Sequence, residues 1–105
     1  MAKIPIQAAL DKTGVYSTYF EVRKDTQAPY NVWRGVGQNT ALADNTVYAK
    51  ISNIYEVEHH FLMKDEDAES LLENTLLNDG FLYEKGEDLR DDDTETYYII
   101  YTVWR

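Results

Sequence analysis

Ile54-Tyr55-Glu56-Val57-Glu58-His59-His60-Phe61-Leu62-Met63 leads into Lys64-Asp65-Glu66-Asp67-Ala68-Glu69-Ser70-Leu71-Leu72-Glu73-Asn74-Thr75-Leu76-Leu77-Asn78, and the hydrophobic period changes between the two. In the first segment Tyr55, Val57, His59, Phe61 and Met63 share one face, and Ile54, Glu56, Glu58, His60 and Leu62 share the other. That period of two describes a strand with one buried and one mostly wet face. In the second segment Ala68, Leu71, Leu72 and Leu76 recur at helical spacing as one apolar stripe. Asp65 is suited to cap the helix, and Glu66, Asp67 and Glu69 favour the positive end of its dipole. Gly80 supplies the left-handed residue that ends it. A strand followed by such a helix predicts a helix laid on a sheet.

On the C-terminal side, Phe81 to Glu84 starts a strand and Glu87 to Asp93 reads as an acidic turn. Glu95 to Trp104 is apolar on both faces, as an inner strand should be. On the N-terminal side, Ile4, Ile6, Ala9 and Leu10 outline a short amphipathic helix with Pro5 in its first turn and Gly14 after it. Val15 to Val22 is rich in β-branched and aromatic residues and predicts a strand. Lys24 to Ala28 is a polar connector, and Pro29 opens the strand Tyr30 to Val36. Gly37 to Asn45 reads as an exposed polar loop. Val47 to Lys50 is a short extended piece, and Ser52-Asn53 allows a bend or bulge. The expected fold is α+β: an antiparallel, mixed-edge sheet of about four to five strands packed against two α-helices, in a single domain over residues 1–105.

Composition narrows the function classes. The chain has 105 residues, no cysteine, and a net charge of −9. Without cysteine there is no disulfide scaffold, thiolate metal site or cysteine nucleophile. No apolar run approaches the length of a membrane span, and the N-terminus lacks the apolar core of a signal peptide. Residues 54–105 hold 15 of the 19 acids and 4 of the 10 bases, a balance of −11 against +2 for residues 1–53. A mainly acidic surface repels DNA phosphates, which disfavours ordinary DNA binding yet suits a channel through which DNA slides. The same acid excess also serves solubility. Nine tyrosines and two tryptophans fit either an interface or an aromatic-rich β core.

No catalytic set emerges. His59 and His60 are adjacent on a strand, point to opposite faces and cannot share a metal. His59 is expected in the core and His60 facing solvent beside Glu58. Asp91-Asp92-Asp93, near Asp88 and Glu95, lacks the spacing of a calcium loop and reads as a solvated hairpin tip. Serines 17, 52 and 70 have no nucleophile-elbow context, and Gly35-Val36-Gly37 lacks the third glycine of a phosphate loop. No carboxylate is isolated in an apolar setting, as paired-acid hydrolysis requires. An enzyme is not expected, nor a cofactor.

The layout resembles the tail terminator (tail completion) proteins of long non-contractile-tailed bacteriophages. The resemblance rests on Pro29-Tyr30-x-Val32, a loop closing with Ala43-Asp44-Asn45, and Val47-Tyr48 with Ile54-Tyr55-x-Val57. It continues through Lys64-Asp65, Asn78-Asp79-Gly80-Phe81 and Glu95-x-Tyr97-Tyr98-x-Ile100-Tyr101, covering roughly residues 5–104. It implies a structural virion protein at the tail–head junction, assembled in the host cytoplasm. In the family a hexameric homo-oligomeric ring caps the tail tube protein, ends its polymerisation and meets the head-completion or stopper protein. Genome DNA passes through the lumen without specific binding, and no membrane is involved. On this basis Trp33, Arg34, Gln38, Asn39, Thr40 and Trp104 are candidate inter-subunit or inter-layer contacts. Glu84, Glu87, Asp88, Asp91, Asp92 and Asp93 are candidate lumen-facing acids. The alternatives are a head-side stopper or adaptor of the connector and an acidic DNA-mimic inhibitor. The net basic first 53 residues count against the mimic. A small hydrolase would need a buried carboxylate or a polar-lined pocket.

Overall fold

Seven elements follow one another: α1 (Pro5–Asp11), β1 (Ser17–Tyr19), β2 (Tyr30–Ala43), β3 (Thr46–Phe61), α2 (Glu66–Asn78), β4 (Leu82–Asp91) and β5 (Thr96–Trp104). The computed structural model describes residues 3–23, 26–43 and 46–105, with the backbone alone for 38–43 and 46–52. The strands form one sheet in the order β1-β2-β3-β5-β4. β1 pairs parallel to β2, and every other pairing is antiparallel. The α+β class, the mixed edge and the two helices are as the sequence predicts.

Both helices lie where local chemistry sets them. Pro5 opens α1, where its missing N–H costs nothing. Asp65 caps α2, its Oδ1 accepting the Ala68 N–H at 3.1 Å. At the other end the Gly80 N–H reaches Leu77 O and the Phe81 N–H reaches Leu76 O at 2.9 Å. With φ of +86° at Gly80, this is a Schellman closure, and Leu76 and Phe81 both join the core beneath it.

Register explains which face the helices cover. Trp33, Val57 and Tyr101 stand abreast on β2, β3 and β5, followed by Tyr55 beside Val103 and His59 beside Ile99. Ile6, Ala9 and Leu10 of α1 and Leu72 and Leu76 of α2 pack into one cluster with Trp33, Val57, Ile99, Tyr101 and Val103. The opposite sheet face bears no helix.

Several expectations change. The segment Val15–Val22 pairs only over Ser17–Tyr19, because Phe20 turns to φ +65° and the chain leaves the ladder. Gly37–Asn45 is not a loop: β2 continues to Ala43, paired residue by residue with β3 from Gly37↔Ile54 to Ala43↔Thr46. Asp44 and Asn45 lie outside the described residues. Val47–Lys50 and Ile54–Phe61 merge into the single strand β3, whose register shifts fall near the expected Ser52 site and again between Val47 and Ala49, while Leu62 and Met63 lie exposed past its end. The acidic segment Glu87–Asp93 is mostly strand, since β4 runs to Asp91 and the turn is 92–95. Gly86 marks a bulge in β4 where a Cβ would lie 2.8 Å from the Ile100 carbonyl oxygen, so only glycine fits there.

The apolar stripe of α2 is rotated from the expected one. Leu72 and Leu76 are buried, whereas Leu71 is about half exposed and its place is taken by Glu69. Leu76→Ala is therefore expected to cost about 3 kcal/mol through the cavity it leaves, and Leu71→Ala less than about 1 kcal/mol. Chemical denaturation of the two variants checks this; equal costs would refute the rotated stripe.

Candidate functional site

Glu69 faces inward from α2 and is only 2% exposed. A carboxylate does not enter an apolar layer uncompensated, and here two lysines reach it. Lys64, just before the helix, donates to Oε1 at 3.0 Å and stands 2.8 Å from Oε2. That second contact lies out of line for a hydrogen bond, leaving Oε2 without a hydrogen-bond partner. Lys85 of β4 lies 2.9 Å from Oε1. One helical turn on, Glu73 accepts hydrogen bonds from Tyr101 Oη at 2.7 Å and Tyr83 Oη at 3.2 Å, and pairs with Lys85 at 2.9 Å. Lys64 also reaches Asp88 at 3.0 Å. The cluster ties α2 to β4 and β5.

The titration shifts follow from these contacts. Burial pulls the Glu73 carboxyl up, but hydrogen bonds from Lys85 and Tyr101 outweigh it and hold it below the usual value. The hydrogen bond to Glu73 raises Lys85 well above an ordinary lysine. Burial, reinforced by the hydrogen bond to Glu73, pushes the Tyr101 phenol far up. Each group is thereby held in the charge state it already has at neutral pH. Glu69 corrects the expectation that no carboxylate sits in an apolar setting. Its two lysines make the cluster a tether between α2 and β4, and none of the described cavities is lined by Glu69, Glu73, Lys85 or Tyr101. Glu69 and Glu73 are four residues apart with lysines flanking them in sequence, the one signal that could have revealed the cluster.

The histidines part company as alternation requires. His59 is buried among the core residues, its Nδ1 2.8 Å from Asn31 Oδ1, and Asn31 in turn donates to Ser17 Oγ at 3.2 Å. Burial lowers its pKa below 6.5. His60 is not solvent-facing: it is 6% exposed on the helix-free face. Tyr30 and Tyr98 from the flanking strands stack on its two sides at 4.6 and 5.1 Å, while Nε2 meets Glu58 Oε1 at 2.9 Å.

The candidate contact residues scatter. Trp33 is 5% exposed and its indole N–H donates to Gln7 Oε1 at 2.7 Å, making it a core residue. Arg34, on the opposite face, pairs within its own chain to Glu56 Oε1 at 2.7 Å. Trp104 is half-buried on the helix-free face between Ile54 and Leu82. Gln38, Asn39 and Thr40 lie on β2, and their side chains are outside the described residues. The candidate lumen acids do not form one row. Glu84 and Glu87 are exposed on β4, and Asp88 is bound to Lys64. Asp91 accepts the Asp93 N–H and Asp92 accepts from Arg90 Nε at the turn. Among the described residues no three His, Asp or Glu side chains gather as a metal site.

A surface that sequence reasoning missed lies beside β1. Ile4, Tyr19, Trp33, Gly35 and Tyr55 line an open apolar cavity of about 410 Å³. Tyr19, Phe20 and Ile4 are exposed around it. Two ends of the sheet also differ. At one end Gly37, Ile54, Trp104 and Leu82 stand in adjacent strands, and β2 and β3 continue beyond them as a two-stranded arm. At the other end lies the acidic turn after Asp91. In comparisons with known proteins, no family model matches the chain and no curated protein matches it.

Lys85→Met is expected to destabilise by about 3 kcal/mol, because it removes one of the two lysines that compensate buried Glu69 and the lysine that pairs with Glu73. Adding Glu69→Gln should recover about 1 kcal/mol or more of that loss, a coupling read by a double-mutant cycle in urea. Strict additivity would mean that the two residues do not depend on each other. His59 gives a second expectation. Its folded pKa is depressed, so its contribution is full above 6.5 and is lost as pH falls below that value. Melting temperature should therefore drop between about pH 7 and pH 5, and His59→Gln should flatten that slope; an unchanged slope would assign it to other groups.

Proposed function

We propose that this chain is a non-catalytic structural protein of a long-tailed phage particle, forming a ring that caps the tail tube and joins it to the head connector. The observation that carries this reading is the opposition of two ends along the strand axis: a two-stranded arm at one, the acidic Asp91–Asp93 turn at the other. A protein set between two different layers needs two different ends. Between those ends the charged side chains of the Glu69 cluster pair with one another. The resemblance in layout supplies the identity of the layers, the tube on one side and the head-completion protein on the other. The acid excess is suited to a lumen through which DNA passes, since like charge repels phosphates without gripping them.

Negative-stain electron microscopy of a lysate in which this gene is disrupted tests the proposal. Overlong or free tails beside filled, tailless heads are expected, because the tube is then neither capped nor joined. Tails of normal length that fail to attach would move the protein to the head side, as a stopper or adaptor. Intact infectious particles would sink the structural role altogether. Within a working particle, neutralising Asp91, Asp92 and Asp93 together should impair DNA ejection or assembly. A normal titre would remove the acidic turn from the lumen.

A further inference from the structure

We infer that neighbouring copies join through their arms, the outer edge of β2 in one copy pairing with the outer edge of β3 in the next, until the strands close into a ring. This rests on the ring proposed above and names how it is held. Beyond Trp33 the described part of β1 no longer covers β2, and β5 leaves β3 after the Asn53–Arg105 backbone pair. From there to Ala43 and Thr46 the two strands pair only with each other among the described residues. About seven residues of ribbon at roughly 3.3 Å each project some 23 Å, in a molecule 48 Å long and 28 by 27 Å across. A two-stranded ribbon alone is marginal in water and presents a row of free N–H and C=O groups on each side.

Sequence shows which edge is left open to pairing. Of the ten residues of the outer strand β4, Glu84, Lys85, Glu87, Asp88, Arg90 and Asp91 are charged, the usual guard against strand addition. The arm segments Gly37–Ala43 and Thr46–Asn53 carry a single charge, Lys50. The occupant that fits is a second copy of the same arm. It is extended, almost uncharged, and offers the complementary edge. Under rotational symmetry all arms point the same way, so β2 meets its neighbour's β3 antiparallel and the ladder continues unbroken. An open row of copies leaves one β2 edge and one β3 edge free; only closure consumes both. The three register shifts in this hairpin bend the ribbon, as curvature around a ring requires.

The chain has no native cysteine, which allows a direct test in the full-length protein. Single-cysteine variants at Gln38 or Thr40 on β2 and at Val47 or Ala49 on β3 are each oxidised alone, then in β2–β3 mixtures. Disulfide dimers are expected only in mixtures. Dimers within the β3 variants alone would mean a two-fold contact that leaves β2 open, and would overturn the closed ring; no dimer in any mixture would overturn the pairing. A second variant replaces residues 39–52 by Asn-Gly, a two-residue turn, while leaving every core residue in place. Native mass spectrometry of the wild type over a concentration series should show a closed oligomer, and the shortened chain a folded monomer. A shortened chain that still forms the oligomer would refute the arm contact and leave the ring standing. A wild type that stays monomeric throughout would refute arm-driven closure, while the disrupted-gene lysate judges the ring independently. Should the shortened chain fail to fold, the cysteine mixtures decide.

Discussion

Two helices of seven and thirteen residues can cover only one face of a five-stranded sheet. Everything else in the molecule is arranged around that shortage. On the covered face Val57, Ile99, Tyr101 and Val103 are fully buried and form an ordinary apolar core with Leu72 and Leu76. On the other face burial has to come from the strands themselves. Tyr30, His60 and Tyr98 provide it by stacking across three strands, an arrangement in which each ring shields its neighbour without a second layer. The Arg34–Glu56 pair sits on the same face and keeps it partly polar.

The buried charge cluster follows from the same constraint. α2 has a narrow apolar stripe, and Glu69 falls in line with Leu72 and Leu76. Substituting an apolar residue would bury more hydrocarbon, but a bare stripe can slide along a sheet. Salt bridges from Lys64 and Lys85 fix where α2 crosses β4, and Tyr101 locks Glu73 to the sheet's inner strand. Geometry of this kind gives position more than stability.

What the sequence made legible is what its local chemistry determines. The caps of α2, the closure at Gly80, the proline start of α1 and the inner position of β5 all arise within a few residues of one another, and all are found where expected. The failures are of a different kind. His60 reads as a wet residue because alternation along one strand cannot see rings arriving from Tyr30 and Tyr98 on its neighbours. Glu69 reads as a dipole-favouring surface acid because its partner Lys85 is on a different element. Gly37–Ala43 reads as a loop because a ribbon that among the described residues pairs only with its own partner strand needs no hydrophobic period. Trp33 and Arg34 do lie on opposite faces, as strand alternation requires, yet both already have partners in their own chain, Gln7 and Glu56.

Closure of the arms also bears on how such a ring stops growing. Strand edges can add copies without limit, and the charged β4 edge resists that. Once each β2 edge has met a β3 edge, the arm end of the ring has no free ladder groups to offer another ring. The opposite end presents the turn after Asp91, where Asp92, Asp93 and Glu95 are exposed. Two such ends facing one another would bring like charges together, so back-to-back stacking is disfavoured as well. A cap that ended a polymer and then polymerised itself would fail at its task. In the proposed ring, arms used up by closure and acids kept at the far end would make a body that joins its own kind sideways and stops there.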